Sequence, residues 1–258
     1  MSIQLKSKAE IDKMRQANLL VCSVLDKLES MVRPGVTTAE LDAVARDMTV
    51  AAGATPAFLG YPSSAKNVQP FPGVICSSVN EVIVHGIPND IPLQEGDIIS
   101  VDYGCCLDGF FGDAARTIPV GRVAEEAALL LKVTREALEA AIGVCVAGNR
   151  IGDISHAVQS RVERDGFGVV REFVGHGIGR AMHEPPHVPN FGAAGQGRIL
   201  KPGMVLAIEP MVTQGSYEAR VLDDGWTAVT KDGKLAAHFE HSVAITDGEP
   251  FVLSRRDA

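Results

Sequence analysis

Reading from Ile98, the chain runs Ile98-Ile99-Ser100-Val101-Asp102-Tyr103, then Leu107-Asp108-Gly109, then Phe110-Phe111-Gly112-Asp113-Ala114-Ala115. Two largely apolar runs flank a turn signal, which predicts a β-hairpin. If Leu107-Asp108 forms the tip, Asp102 lies opposite Asp113. If Asp108-Gly109 forms it, the two are diagonal neighbours. Either register puts both carboxylates on one face, within about 5–8 Å of each other. Ile98, Ile99, Val101, Ala114, Ala115 and Ile118 surround them, which argues against two strand-end residues in open solvent. Like charges opposed on a buried face are destabilising, and a divalent cation removes the conflict.

The second half of the chain repeats the pattern. His85-Gly86-Ile87 precedes Asp102 and Asp113, and His176-Gly177-Ile178 precedes Glu209 and Glu240. Alone, each glutamate would read as a capping or salt-bridged residue. Their correspondence to the two aspartates makes four carboxylates on buried strands, which are costly to desolvate without cations. The sequence therefore points to a two-metal hydrolytic site built from two halves of one domain, completed by a nitrogen ligand. An offset of 113 positions carries Gly35 onto Gly148, Leu41 onto Ile154, Ala45 onto Val158 and Gly53 onto Gly166. One domain spanning residues 1–258 is expected, with related halves of about 1–120 and 121–258.

Each half reads helix, glycine turn, helix, glycine, strands. Ile11, Met14, Leu19, Val21, Leu25 and Leu28 have helical spacing over 8–31, and Pro34-Gly35 stops that helix. Thr37-Thr38-Ala39-Glu40 is a capping box for the second helix, which runs to Gly53. A third helix is predicted over about 124–146. Strands are predicted at 74–77, 83–85, 98–103 and 110–118, then at 169–174, 205–211, 226–230 and 235–246. The connections are short, so the sheet should be mostly antiparallel, an α+β fold with helices on its outer face. The proline-containing stretch 61–72 is expected to be a loop near the site.

The composition narrows the function classes. The chain carries a net charge of -8 and no run of Lys or Arg, so a nucleic-acid surface is not expected. No apolar stretch is long enough to span a bilayer, and the first residues, Met1 to Lys6, lack a signal-peptide core. Five cysteines without CxxC spacing read as reduced thiols, which predicts a cytoplasmic protein. Cys105-Cys106 fits ordinary thiols better than a redox pair.

Among the histidines, His176 stands between glycines that allow close backbone approach to a ligand, and His85 holds the equivalent first-half position. His156, His187, His238 and His241 read as ordinary surface or hydrogen-bonding histidines. With Asn80 to Pro88, Val101-Asp102-Tyr103-Gly104, Gly112-Asp113, Gly175 to Glu184, Pro202-Gly203-Met204, Ile208-Glu209-Pro210-Met211, Asp224-Gly225-Trp226 and Phe239-Glu240-His241, the chain resembles the type I methionine aminopeptidases. These belong to the wider pita-bread family that includes prolidase and aminopeptidase P.

The resemblance implies a pita-bread fold with a pseudo-twofold antiparallel sheet. It implies two divalent metal ions (Co, Mn or Fe(II)) held by Asp102, Asp113, His176, Glu209 and Glu240, with Asp113 and Glu240 bridging. His183, Glu209 and His85 would be catalytic, and His85, His183, Tyr61, Phe71 and Trp226 would contact substrate. The substrates would be peptide and nascent-chain N-termini with a small second residue. A monomer is implied, with transient ribosome association allowed and no nucleic-acid or membrane partner. The chain departs from the family in an expanded loop beginning Tyr61-Pro62-Ser63-Ser64-Ala65-Lys66, in Phe58 where a Cys is expected, and in Met182 where a Phe is common. An Xaa-Pro peptidase with the same ligands is the nearest alternative, and a non-catalytic pita-bread binding module the next.

Overall fold

A computed structural model describes residues 3–63, 65 and 67–256. Met1, Ser2, Ser64 and Lys66, on which parts of the N-terminal and loop readings fall, lie outside the described residues.

Local signals set the helices. The side chain of Ser7 accepts the N–H of Glu10, and the Glu10 carboxylate accepts the N–H of Ser7, so α1 (Lys8–Met31) starts with a capping box. Thr37 and Glu40 start α2 (Thr38–Ala51) in the same way. The second half supplies α3 (Glu125–Gly143) and α4 (Ile151–Glu163). Gly35 and Gly148 take φ of +90° and +95°, and Gly53 and Gly166 take +68° and +80°. All four occupy the left-handed region that glycine enters without a Cβ penalty.

The strands are β1 (Thr55–Pro56), β2 (Cys76–Val79), β3 (Val82–Val84), β4 (Ile98–Leu107), β5 (Phe110–Pro119), β6 (Gly168–Val169), β7 (Gly175–Gly177), β8 (Glu184–Val188), β9 (Val205–Ile208), β10 (Met211–Thr213), β11 (Ala219–Val221), β12 (Ala228–Thr230), β13 (Ala236–His238), β14 (Glu240–Ala244) and β15 (Phe251–Val252). A nine-stranded sheet runs β1-β4-β5-β14-β9-β7-β8, with β2 also on β4 and β15 also on β14. Two three-stranded sheets, β13-β10-β6 and β11-β12-β3, complete the fold, and every pairing is antiparallel.

Alternation along β4 explains how one sheet serves two purposes. Ile99, Val101, Tyr103 and Cys105 pack against Val21, Leu25 and Leu28 of α1 and Leu41 of α2. The residues between them, Asp102 and Gly104, face the other way. Burying each of these apolar side chains contributes on the order of 2 kcal/mol. In the second half Leu130, Leu138, Ile154 and Val158 pack similarly against Leu206, Ile208 and Val243. The helices thus cover one face of the sheet and leave the other for the site.

Three of the predicted strands are broken or cut to their start. The run 205–211 breaks at Glu209-Pro210, because Pro210 has no N–H for the ladder, and the chain continues in a different sheet as β10. The run 235–246 breaks at Phe239, beside that point, and likewise changes sheet. The run 169–174 is strand only at its start. The short β7 and β8, rich in glycine and proline, carry no alternation from which to predict them.

Candidate metal centre

The β4–β5 hairpin settles the register left open by sequence. Leu107 pairs with Phe110, so Asp108 and Gly109 form the tip with φ of 50° and 77°, both positive as a two-residue hairpin of type I′ requires. Asp102 then pairs with Ala115, and Asp113 with Gly104, which makes the two aspartates diagonal neighbours. Gly104 keeps the space over Asp113 open, since a Cβ there would stand 3.2 Å from Asp113 Oδ1.

Asp102, Ala115 and Glu240 lie in one row across β4, β5 and β14. His241 pairs with Ile208 on β9, so Glu209 falls beside Glu240, and His176 on β7 pairs with Ala207. Adjacent strands therefore bring Asp102, Asp113, Glu240, Glu209 and His176 to one face. The backbone beneath them is anchored: Asp113 N–H donates to Asn18 Oδ1 of α1 at 3.3 Å, and Ser242 Oγ donates to the Asp113 carbonyl at 2.9 Å. Asn190 Nδ2 donates to the Glu209 carbonyl at 2.9 Å.

His176 Nε2 stands 3.8 Å from Asp113 Oδ2 and 3.5 Å from Glu209 Oε1. Asp113, His176 and Glu240 form one triad whose ligand atoms lie within 4.8 Å of one another, and Glu209, His238 and Glu240 form a second. Glu240 is common to both, and Asp102 belongs to neither. Asp102 Oδ1, Asp113 Oδ1, Glu240 Oε1 and His238 Nε2 are buried without a hydrogen-bond partner. Uncompensated polar atoms are rare in a folded interior, and here three of them are carboxylate oxygens of residues lining one cavity, as expected where cations complete the coordination. Burial, then repulsion from Glu240, holds Asp113 well above the usual carboxylate range, and burial first also raises Glu209 and Glu240. Burial pushes Asp102 up to about 7. Burial lowers His176 to about 3, so its imidazole is neutral with a lone pair free to ligate. Oxygen-rich donors with imidazole fit a divalent first-row metal.

The cluster opens into a cavity of about 610 Å³ lined also by Phe58, Tyr61, Phe71, Met182 and Trp226. Phe71 and Trp226 meet edge-to-face at 5.3 Å, and Trp226 Nε1 donates to the Gln69 carbonyl at 2.8 Å. The loop that differs from the resembling family thus holds one pocket wall. His183 stands with its ring centroid 4.3 Å from that of His176, and its Nδ1 is 2.6 Å from Tyr61 Oη. His85 lines the same cavity in the left-handed conformation, with φ of 60°. Burial, then the neighbouring His183, lowers its imidazole to about 4.

All ten residues singled out from sequence border this one cavity. Sequence reasoning missed His238, which faces Glu209 Oε2 at 3.8 Å and Glu240 Oε2 at 3.9 Å, and missed the cavity-lining Cys76 and His187. The signal for His238 was its spacing of two from Glu240. His241 behaves as an ordinary histidine, its Nδ1 2.8 Å from Ser254 Oγ. All five cysteines are free, and Cys105 Sγ turns to the Ala17 carbonyl.

Residues 12–247 match the model of metallopeptidase family M24. A methionine aminopeptidase of Clostridium perfringens is 50% identical over 252 residues, covering 98% of each chain. The crystal structure of methionine aminopeptidase from Rickettsia prowazekii, 38% identical, aligns with a TM-score of 0.95 over 98% of this chain and 100% of that one. The prolidase of Pyrococcus furiosus, 19% identical with a TM-score of 0.78, shares the fold alone, and this chain spans 66% of its length. A family model along nearly the whole sequence and a relative identical at half its positions show that the chain belongs to metallopeptidase family M24 and, within it, to the methionine aminopeptidases.

Proposed function

We propose that the protein removes the N-terminal methionine from peptides and nascent chains whose second residue is small. One observation carries this reading: the buried, unpartnered carboxylates of Asp102, Asp113 and Glu240 share a single cavity with the His176 imidazole and an aromatic and thioether wall. Asp102, Asp113, His176, Glu209 and Glu240 would hold two divalent ions, of cobalt, manganese or iron(II), within a single catalytic domain made of two related halves. Asp113 and Glu240 would be shared between them; for Glu240 its membership in both triads supports that assignment, and for Asp113 the resemblance alone does. When bound, such ions supply Lewis acidity and an activated water.

The chain's own residues supply the rest. An unbranched, polarizable methionine side chain suits the wall of Phe58, Tyr61, Phe71, Met182 and Trp226. A charged first residue would be left unpaired in that wall and is rejected. Tyr61 Oη stands 2.6 Å from His183 Nδ1; with the hydroxyl as donor, the imidazole proton would sit on Nε2 and donate to the scissile carbonyl. Glu209 passes a proton to the leaving amine, and His85, its ring 6.4 Å from that of Trp226, contacts the substrate. The free thiols support a reducing, cytoplasmic setting. We infer a monomer there, meeting nascent chains by transient contact with the ribosome.

The test is kcat/KM for Met-Ala-Ser against Ala-Pro-Ala under the same metal. Metal-dependent release of methionine should dominate. Faster release of alanine from the proline peptide would replace this reading with an Xaa-Pro peptidase.

A further inference from the structure

The turn from Gly179 to Glu184 delivers Met182 and His183 to the cavity, and first-half residues hold it there. Lys6, just before α1, forms an ion pair with Glu184, the two side chains only 5% and 11% exposed. Lys6 N–H donates to the Gly203 carbonyl at 2.6 Å, and its ammonium also reaches the Gln4 carbonyl at 3.2 Å. The other Glu184 oxygen, Oε1, accepts the N–H groups of Arg180 at 2.8 Å and Ala181 at 3.2 Å, which closes the turn. Gly179 makes room for the lysine, since a Cβ there would stand 2.2 Å from Lys6 Cε. Phe111 N–H donates to the Gly179 carbonyl at 2.8 Å, and Arg180 pairs with Glu10 of α1 at 3.1 Å.

A buried ion pair is weak evidence for stability, because desolvating both charges offsets their attraction. It is strong in direction, because each partner has one low-energy place to be. This pair closes the turn that precedes β8, and His183 is the neighbour of Glu184 in sequence. The geometry points to Lys6 as a positioning residue. Through Glu184 it sets where Met182 and His183 stand, without touching the substrate. This inference rests on the proposed role of His183.

The experiment compares Lys6→Met, Glu184→Gln and the double variant, each metal-loaded, for melting temperature, metal content and kinetics on Met-Ala-Ser. Lys6→Met strands a buried carboxylate, so both melting temperature and kcat should fall. The double variant is neutral and of similar shape, so its melting temperature should recover. Its kcat should stay down by about tenfold, the scale expected of a small misplacement, with KM and metal content nearly unchanged. Recovery of kcat together with melting temperature, or wild-type kcat in Lys6→Met, would overturn the inference. A second readout does not depend on the substrate. In 15N-histidine-labelled protein, the His183 ring signals, identified with His183→Ala, should shift in Lys6→Met and in the double variant. Unchanged His183 signals would overturn the inference even if the wild type released no methionine. That last outcome would instead refute the proposed function.

Discussion

Stripped of metal, the protein should lose the stability that its buried carboxyls contribute as pH rises towards their folded values. Asp113, Glu209 and Glu240 have carboxyls raised well above their ordinary values, and Asp102 is pushed up to about 7 from 3.8, with burial the first cause in every case. A raised carboxyl keeps its proton in the fold after the unfolded chain has released its own. Its contribution is fully present below the unfolded value and is lost as pH rises through the folded value. Histidines act in the opposite sense. Burial lowers His85 to about 4 and His176, His238 and His241 to about 3, so stability falls as pH drops below their ordinary value of 6.5. These imidazoles are common to the wild type and to Asp102→Asn, so the difference between the two isolates one carboxyl. A carboxyl still protonated in the fold removes about 1.4 kcal/mol per pH unit. For a chain of this length that is roughly 2–4 °C per unit. Thermal melts of the two chelator-treated proteins from pH 5 to 7 read the slope of Asp102 as the wild-type melting temperature minus that of the variant, which should fall as pH rises. Saturating manganese should abolish it, because the liganded carboxyls are then ionised in the fold. A difference that stays flat or rises over this window would refute the buried-carboxyl account.

Asp113→Asn should lower bound metal from about two ions to one or none and abolish turnover, and full metal stoichiometry by elemental analysis would reject bridging. Tyr61→Phe keeps the pocket wall but removes the hydroxyl on His183 Nδ1. A loss of about tenfold in kcat with little change in KM is expected, and an unchanged kcat would show that Tyr61 does not set the tautomer. His183→Ala should slow turnover by roughly 10²–10³ with both ions retained, whereas His176→Ala should weaken metal binding, and the reverse pattern in a titration would exchange their roles. His238→Ala should weaken metal affinity by roughly 10–100-fold through Glu209 and Glu240, and an unaltered binding isotherm would make His238 a packing residue.

The hairpin was legible because apolar runs and a turn signal agree over 98–115, and the start of α2 because Thr37 is followed at the right spacing by Glu40. Its register was not, because Leu107-Asp108 and Asp108-Gly109 both make acceptable tips until the positive φ of Asp108 is seen. The sheet crossings at Pro210 and Phe239 were hidden because apolar residues continue through both breaks, and only the partner strands change. His238 was passed over because a histidine in an apolar run usually finds an ordinary hydrogen bond. Its unpartnered Nε2 exists only once Glu209 and Glu240 are folded around it. The Lys6–Glu184 pair is long-range in sequence, and no periodicity reports it.

The single row of Asp102, Ala115 and Glu240 has a consequence for how the molecule comes into being. The row joins segments separated by more than half of the 258-residue chain. Closing so long a loop is entropically slow compared with forming the β4–β5 hairpin or α1. While the chain is being synthesised, the first half can complete its local structure and still offer only Asp102 and Asp113 to a cation. Tight metal uptake waits until β14 inserts between β5 and β9. A nascent chain that has not yet delivered β14 is therefore silent, and acquiring its ions marks the moment its topology closes.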